Sequence, residues 1–233
     1  HSVPDESARL MRLATYASVT VAVFLILVKL MAWSQSDSVS LLATLIDSIL
    51  DAFSSIINLF AVRHALTPAD KEHRFGHGKA EALAGLSQSL FIAGSALFLL
   101  IEVGSNIINP VEVKYPITSM IVVAVTIVVT LILVCFQQYV IKKTQSVAIT
   151  ADAMHYKSDL LMNSAVILAL WLSTMGLSIF DPIIGGIIAC YILYSAWNIL
   201  QISMDQLMDR ELPDEVRANI KKIVCTHPKA LGL

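Results

Sequence analysis

The chain has 233 residues, of which 56% are hydrophobic and 15% charged, and its formal net charge is −2. Soluble globular domains carry about 25% charged residues, and a nucleic-acid binder needs a surplus of positive charge. A mean hydropathy of +0.72 therefore points to a lipid environment and excludes a disordered chain, a disulfide scaffold and a nucleic-acid partner. Cys135, Cys190 and Cys225 lie far apart, form no CxxC pair and read as packing residues.

A helix that crosses a bilayer needs about 20 mostly apolar residues. Six runs meet that need, at 13–33, 40–62, 81–108, 117–140, 146–175 and 182–204. The first is too long for a signal peptide and has no small-residue cleavage site. The expected fold is an all-α membrane protein with six transmembrane helices.

Basic residues set the expected orientation. Arg9 and Arg12 precede the first run. Arg63, Lys71, Arg74 and Lys79 separate the second from the third, and Lys142 and Lys143 the fourth from the fifth. Arg210, Arg217, Lys221, Lys222 and Lys229 follow the sixth, whereas the opposite side has only Lys114. Loops rich in Lys and Arg stay in the cytoplasm, so both termini are expected there. Lys29, near the outer end of the first run, is expected to snorkel outward. Trp33, Tyr115 and Tyr139 fall where aromatic belts form.

Residues 205–233 are charged, and 212–224 read as a soluble helix opened by Pro213 and by acidic residues. Its apolar positions Val216, Ile220, Ile223 and Val224 recur at helical spacing. The expected division is a six-helix membrane domain at 1–208, then 209–233 as the first helix of a cytoplasmic domain whose remainder is absent. His227 has no neighbour of ligand type and reads as a surface residue. Lys79 and Asp209 could pair at the cytoplasmic edge, near a subunit boundary. Gly185-Gly186 and Ala80/Ala84 permit close helix contacts.

Charges inside the apolar runs carry the chemistry. Asp47 and Asp51 lie four apart in the second run, on one helix face. His155 and Asp159 repeat that spacing in the fifth, with Asp152 on the same face and Lys157 on another. A central intramembrane Asp costs about 3 kcal/mol, so Asp47, Asp51 and Asp159 together cost about 9 kcal/mol unless they are protonated, solvated or hold a cation. Three carboxylates and one imidazole are the four donors a tetrahedral Zn²⁺ takes. Without a thiolate the set also suits Mn²⁺ and Fe²⁺ by ligand type, and Cd²⁺ could fit too. The same groups bind protons, which an arriving ion must displace. Asp152 is either a first stop for an incoming ion or a solvated residue at the span boundary.

The loop between the second and third runs contains Asp70, His73 and His77, with Gly76 and Gly78 bracketing His77. The spacing D-x2-H-x3-H brings a carboxylate and two imidazoles within reach of one ion. Glu72 and His64 are further ligands or bystanders.

Six spans, cytoplasmic termini, D-x3-D in the second span, H-x3-D in the fifth and the stretch His73-Arg-Phe-Gly-His77-Gly-Lys-Ala-Glu81 together resemble the cation diffusion facilitators, in particular the bacterial YiiP-type zinc and ferrous-iron efflux transporters. The resemblance runs from about Arg9 to the end. It implies a homodimeric, multi-pass protein of the bacterial inner membrane that exports divalent metal in exchange for protons. It places the transport site at Asp47, Asp51, His155 and Asp159, and a second site at Asp70, His73 and His77. Some zinc-dedicated relatives have His where this chain has Asp47, so the pair of carboxylates implies broader selectivity, with Zn²⁺, Cd²⁺ and Fe²⁺ as candidates. The family's cytoplasmic α+β domain would begin with the helix at 212–224.

Two other classes deserve comparison. A metal channel would use similar carboxylates, but four tight ligands trap an ion, whereas conduction needs weak, multiple sites. An intramembrane metallohydrolase needs an open coordination position and a general base, as in HExxH, and the sequence has no such motif.

Overall fold

The computed structural model describes residues 5–36, 39–108, 117–174, 180–211 and 214–226. Lys114, Tyr115, His227 and Lys229 lie outside them. Every regular element among the described residues is a helix: α1 (Asp5–Ser36), α2 (Val39–Ala65), α3 (Lys79–Ile108), α4 (Ile117–Thr144), α5 (Val147–Thr174), α6 (Phe180–Leu207) and α7 (Asp214–Cys225). Five of these, α1, α2, α3, α4 and α6, are long and apolar enough to cross a membrane. The other long helix, α5, has 28 residues and spans about 42 Å at 1.5 Å per residue. Length does not set it apart; Asp152, His155, Lys157 and Asp159 interrupt its apolar character.

The bundle shows large apolar side chains to the outside. Phe98, Ile101, Ile132 and Ile187 are all exposed, Ile101 by 71%. Such a surface is untenable in water and ordinary in lipid. The interior is built from small and hydroxyl-bearing residues, including Ala14, Ser18, Ser48, Ser55, Ala84 and Ala96, which let helices approach closely. Contacts run α1–α2, α1–α4, α4–α5, α5–α6 and α3–α5, with α3 packed along α6. The expected small-residue contact at Gly185 is present: a Cβ there would lie 3.0 Å from Val103 Cγ2 on α3.

Side-chain hydrogen bonds join helices inside the bundle. Ser54 Oγ donates to Gln88 Oε1 (2.7 Å), linking α2 to α3. Ser18 Oγ and Gln137 Nε2 both donate to Asp152 Oδ2, at 2.5 and 2.7 Å, linking α1, α4 and α5. Asp152 is fully buried, which overturns its reading as a solvated boundary residue. Its side chain is enclosed because α1 and α4 both pack against α5 at that level.

The turn from α4 to α5 has a local cause. Gln145 adopts φ 52° and its N–H donates to Ile141 O (2.8 Å), a left-handed helix end. Ser146 then caps α5 by accepting the Ile149 N–H (3.2 Å). This tight reversal fixes the register in which α5 presents its ionisable face to the bundle.

Two further expectations need correction. Cys135, Cys190 and Cys225 are exposed and do not fill the core. Lys29 does not snorkel: it is 8% exposed and turns inward. It lies seven residues before the end of α1 (36 − 29), roughly 10 Å below that end, beyond the reach of a lysine stem. Trp33 packs near Ala32 and Val122, and Tyr139 is exposed. Lys79 does pair with Asp209, at 2.8 Å and within one chain. Exposed pairs of this kind contribute about 0–1 kcal/mol. No described residue of α7 is buried, and Val216, Ile220, Ile223 and Val224 are exposed.

Candidate metal centres

The first candidate centre lies where α2 crosses α5. His155 Nε2 is 2.9 Å from Asp51 Oδ1 and 3.6 Å from Asp159 Oδ2. One ligand atom from each of the three lies within 4.8 Å of the others, close enough to share an ion. Their side chains are 18%, 11% and 25% exposed for Asp51, His155 and Asp159. The helical i, i+4 spacing aims His155 and Asp159 together, and α2 supplies Asp51 from the facing side. The crossing is held one turn away: Ser55 and the Tyr156 hydroxyl share a hydrogen bond of 2.8 Å, and Tyr156 Oη also donates to Ser18 O (3.2 Å).

Asp47 is on the same face of α2, one turn from Asp51, but is exposed and outside that three-residue group. It still interacts electrostatically with Asp51, His155 and Lys29. The expected four ligands are therefore three in contact and one a turn away. Lys157, expected on another face, donates to Tyr191 Oη (2.8 Å) on α6.

The chemistry of the contact is informative. A 2.9 Å approach between imidazole Nε2 and a carboxylate oxygen requires a proton between them, carried by one partner or the other. Nε2 is also the ring atom closest to both carboxylates, so it is the atom that would bind a metal. Metal and proton cannot occupy it together.

The second candidate centre is in the loop between α2 and α3. Asp70 Oδ1 lies 3.5 Å from His73 Nδ1, and Asp70 Oδ2 lies 3.5 Å from His77 Nε2. These three also have ligand atoms mutually within 4.8 Å. The loop folds around the aspartate: Asp70 Oδ1 accepts the N–H of His73 (2.6 Å) and of Glu72 (2.9 Å). Gly76, at φ 84°, then turns the chain so that His77 points back, a conformation glycine adopts without steric cost.

The backbone N–H of His73, more than any other group, holds the Asp70 carboxyl below its ordinary range. A lowered folded-state pKa stabilises the loop above the unfolded carboxylate value of about 3.9. That contribution disappears as pH falls through the lower folded value, so Asp70 stays ionised near neutrality.

His77 has a side chain only 6% exposed, and its Nδ1 is buried without a hydrogen-bond partner among the described residues. His64 packs edge-on against His77, with ring centroids 4.5 Å apart, and is outside the ligand group. Glu72 joins the loop through its backbone N–H.

One residue beside the first centre differs from the sequence expectation. Lys29 Nζ donates to Ser48 Oγ (2.6 Å) and Thr44 O (3.1 Å) on α2. Ser48 is buried, immediately after Asp47 and three residues before Asp51. The available signal was depth: a lysine too far from its helix end must find partners inside.

Comparison with known proteins agrees with this architecture. Residues 15–208 match the cation efflux transmembrane domain. The chain is 45% identical over 225 residues to the cation-efflux pump FieF of Yersinia enterocolitica, covering 97% of this chain and 75% of that protein. It is 47% identical over 222 residues to the FieF pump of Shewanella oneidensis (95% and 75%), and 45% identical over 225 residues to that of Pectobacterium atrosepticum (97% and 75%).

Proposed function

We propose a transport cycle from one premise: this chain belongs to the cation diffusion facilitator family, as a YiiP-type multi-pass membrane transporter for efflux of divalent cations, not an enzyme. The finer reading is proton-coupled antiport. Zn²⁺ is the principal cargo, with Cd²⁺ and Fe²⁺ admitted by a thiolate-free site. The observation that carries it is the approach of Asp51, His155 and Asp159 to one another from two helices.

In this reading α5 also crosses the membrane, making six spans, and both termini face the cytoplasm of a bacterium, with the chain in the inner membrane. Cytosolic metal reaches the α2–α5 site and displaces the proton held between His155 and Asp51. Asp47 swings in from one turn away as the fourth ligand. Because the ligands belong to two helices, a small shift of α2 against α5 breaks the set and opens it outward. Protons then return to the freed groups and eject the ion. The cargo shifts the two conformations only through its different affinity for each.

Asp70, His73 and His77 form an accessory metal site, in which His77 would ligate through the Nε2 that faces Asp70. Residues 209–233 begin the cytoplasmic domain, and the bare apolar positions of α7 pack on its remainder within a homodimer.

The test is transport into sealed proteoliposomes with and without an imposed pH gradient. Zn²⁺ is expected to move against its own gradient only while protons run the other way. Saturation-free flux indifferent to the pH gradient would instead identify a channel and overturn the antiport reading.

A further inference from the structure

Lys29 presents an ammonium in the interior of α1 that the cycle above does not use. It is held by Ser48 Oγ at 2.6 Å and Thr44 O at 3.1 Å. Thr44, Ser48 and Asp51 follow one stripe of α2, at spacings of four and three, so Lys29 is anchored about 5 Å along the helix axis from the level of Asp51. No carboxylate lies within ion-pair distance of it among the described residues. Instead Asp47, Asp51 and Asp159, three of the four proposed ligands, act on it through their field.

Burying an ammonium is costly unless charges of opposite sign offset it. Among the described residues the carboxylates whose field reaches Lys29 are those of the transport site, and their negative charge offsets part of the cost of burying it. A divalent ion bound to them offsets two of their three negative charges and itself repels the ammonium. Ammonium and cargo thus draw on the same field, although they do not touch the same ligand atoms.

We propose that Lys29 is a tethered cation that competes electrostatically with the transported ion and keeps the site from holding its cargo too tightly. This rests on the reading of the α2–α5 site as the transport site. Lys29 neither ligates metal nor carries the coupling proton. It tunes affinity, speeding release at the expense of capture. A lysine that only ties α1 to α2 would have the opposite consequence, because its loss would loosen α2 and weaken the site.

The experiment compares Lys29→Met and Lys29→Arg with the unsubstituted lysine, all with Asp70→Ala and His73→Ala so that the loop site is silent. Zn²⁺ affinity is measured by calorimetry and flux in proteoliposomes. Removing the charge is expected to tighten Zn²⁺ binding by about tenfold or more, given an attenuated repulsion across a partly buried gap. KM and kcat should fall together as release slows. The arginine variant, which keeps the charge, should retain the original affinity.

Unchanged or weaker binding in Lys29→Met, or an arginine variant that behaves like methionine, would overturn the proposal. Asp51→Ala in the same background separates the two claims. If it abolishes binding while Lys29→Met fails to tighten it, the site stands and the tethered-cation role falls. If Asp51→Ala still binds Zn²⁺ normally, the transport site itself is misplaced.

Discussion

Replacing Asp51 with alanine is expected to reduce metal transport to background in proteoliposomes while the protein still folds and inserts. Asp51 is the sole contribution of α2 to the three-residue group, and its Oδ1 makes the 2.9 Å contact with His155. Without it, a metal at His155 and Asp159 has ligands from α5 alone, and a movement of α2 against α5 can no longer make or break the set. The loss should exceed the roughly 10–100-fold typical of removing a residue that merely orients a ligand. Folding should survive because a half-buried carboxylate inside the bundle is removed, not created, and the crossing keeps its Ser55–Tyr156 bond. Near-normal flux in correctly folded Asp51→Ala would remove this site from the pathway.

The second large effect concerns assembly. Gly85 sits on α3 where side chains of both α5 and α6 reach it: a Cβ placed there would lie 2.6 Å from Ser203 Oγ and 2.9 Å from Val147 Cγ1. The serine hydroxyl can rotate, but the valine methyl belongs to a stiff side chain at the start of α5. Gly85→Ala should therefore cost about 1–3 kcal/mol, the usual range for overpacking. Gly85→Leu should prevent α3 from seating against α5 and α6, and the protein should aggregate on extraction. The midpoint of thermal aggregation in detergent checks the series. Wild-type midpoints for both variants would mean that α3 and α5 do not approach as described.

Much of this was legible because the bilayer makes the code simple. Long apolar runs can satisfy their backbones only as helices, and isolated acids within them stand out at about 3 kcal/mol each. The i, i+4 spacings named His155 and Asp159 as neighbours and pointed Asp51 toward them. What spacing could not supply was the azimuth and axial level at which α2 meets α5. Asp47 and Asp51 share a face, yet only Asp51 reaches His155, because the crossing places its level nearest the imidazole.

Of the two readings of Asp152, the solvated boundary residue fails because its burial comes from α1 and α4, whose proximity no local pattern encodes. Lys29 turns inward for a related reason. Snorkelling is the general habit of membrane lysines, and the competing fact, that Thr44 and Ser48 offer oxygens at its depth, is a tertiary one. Cys135 and Cys190 differ from expectation the other way: in a lipid-facing helix, an apolar side chain need not be an interior one.

The central claim is that one divalent ion and protons compete for the same atoms between α2 and α5. Its most direct measurement is Zn²⁺ titration of protein with a silenced loop site, in buffers of differing ionisation enthalpy, so that metal bound and protons released are counted together. One Zn²⁺ per chain is expected, with proton release that grows as pH falls, and both should vanish in the Asp51→Ala, His155→Ala double variant. Binding that survives the double substitution, or that releases no protons, would contradict it.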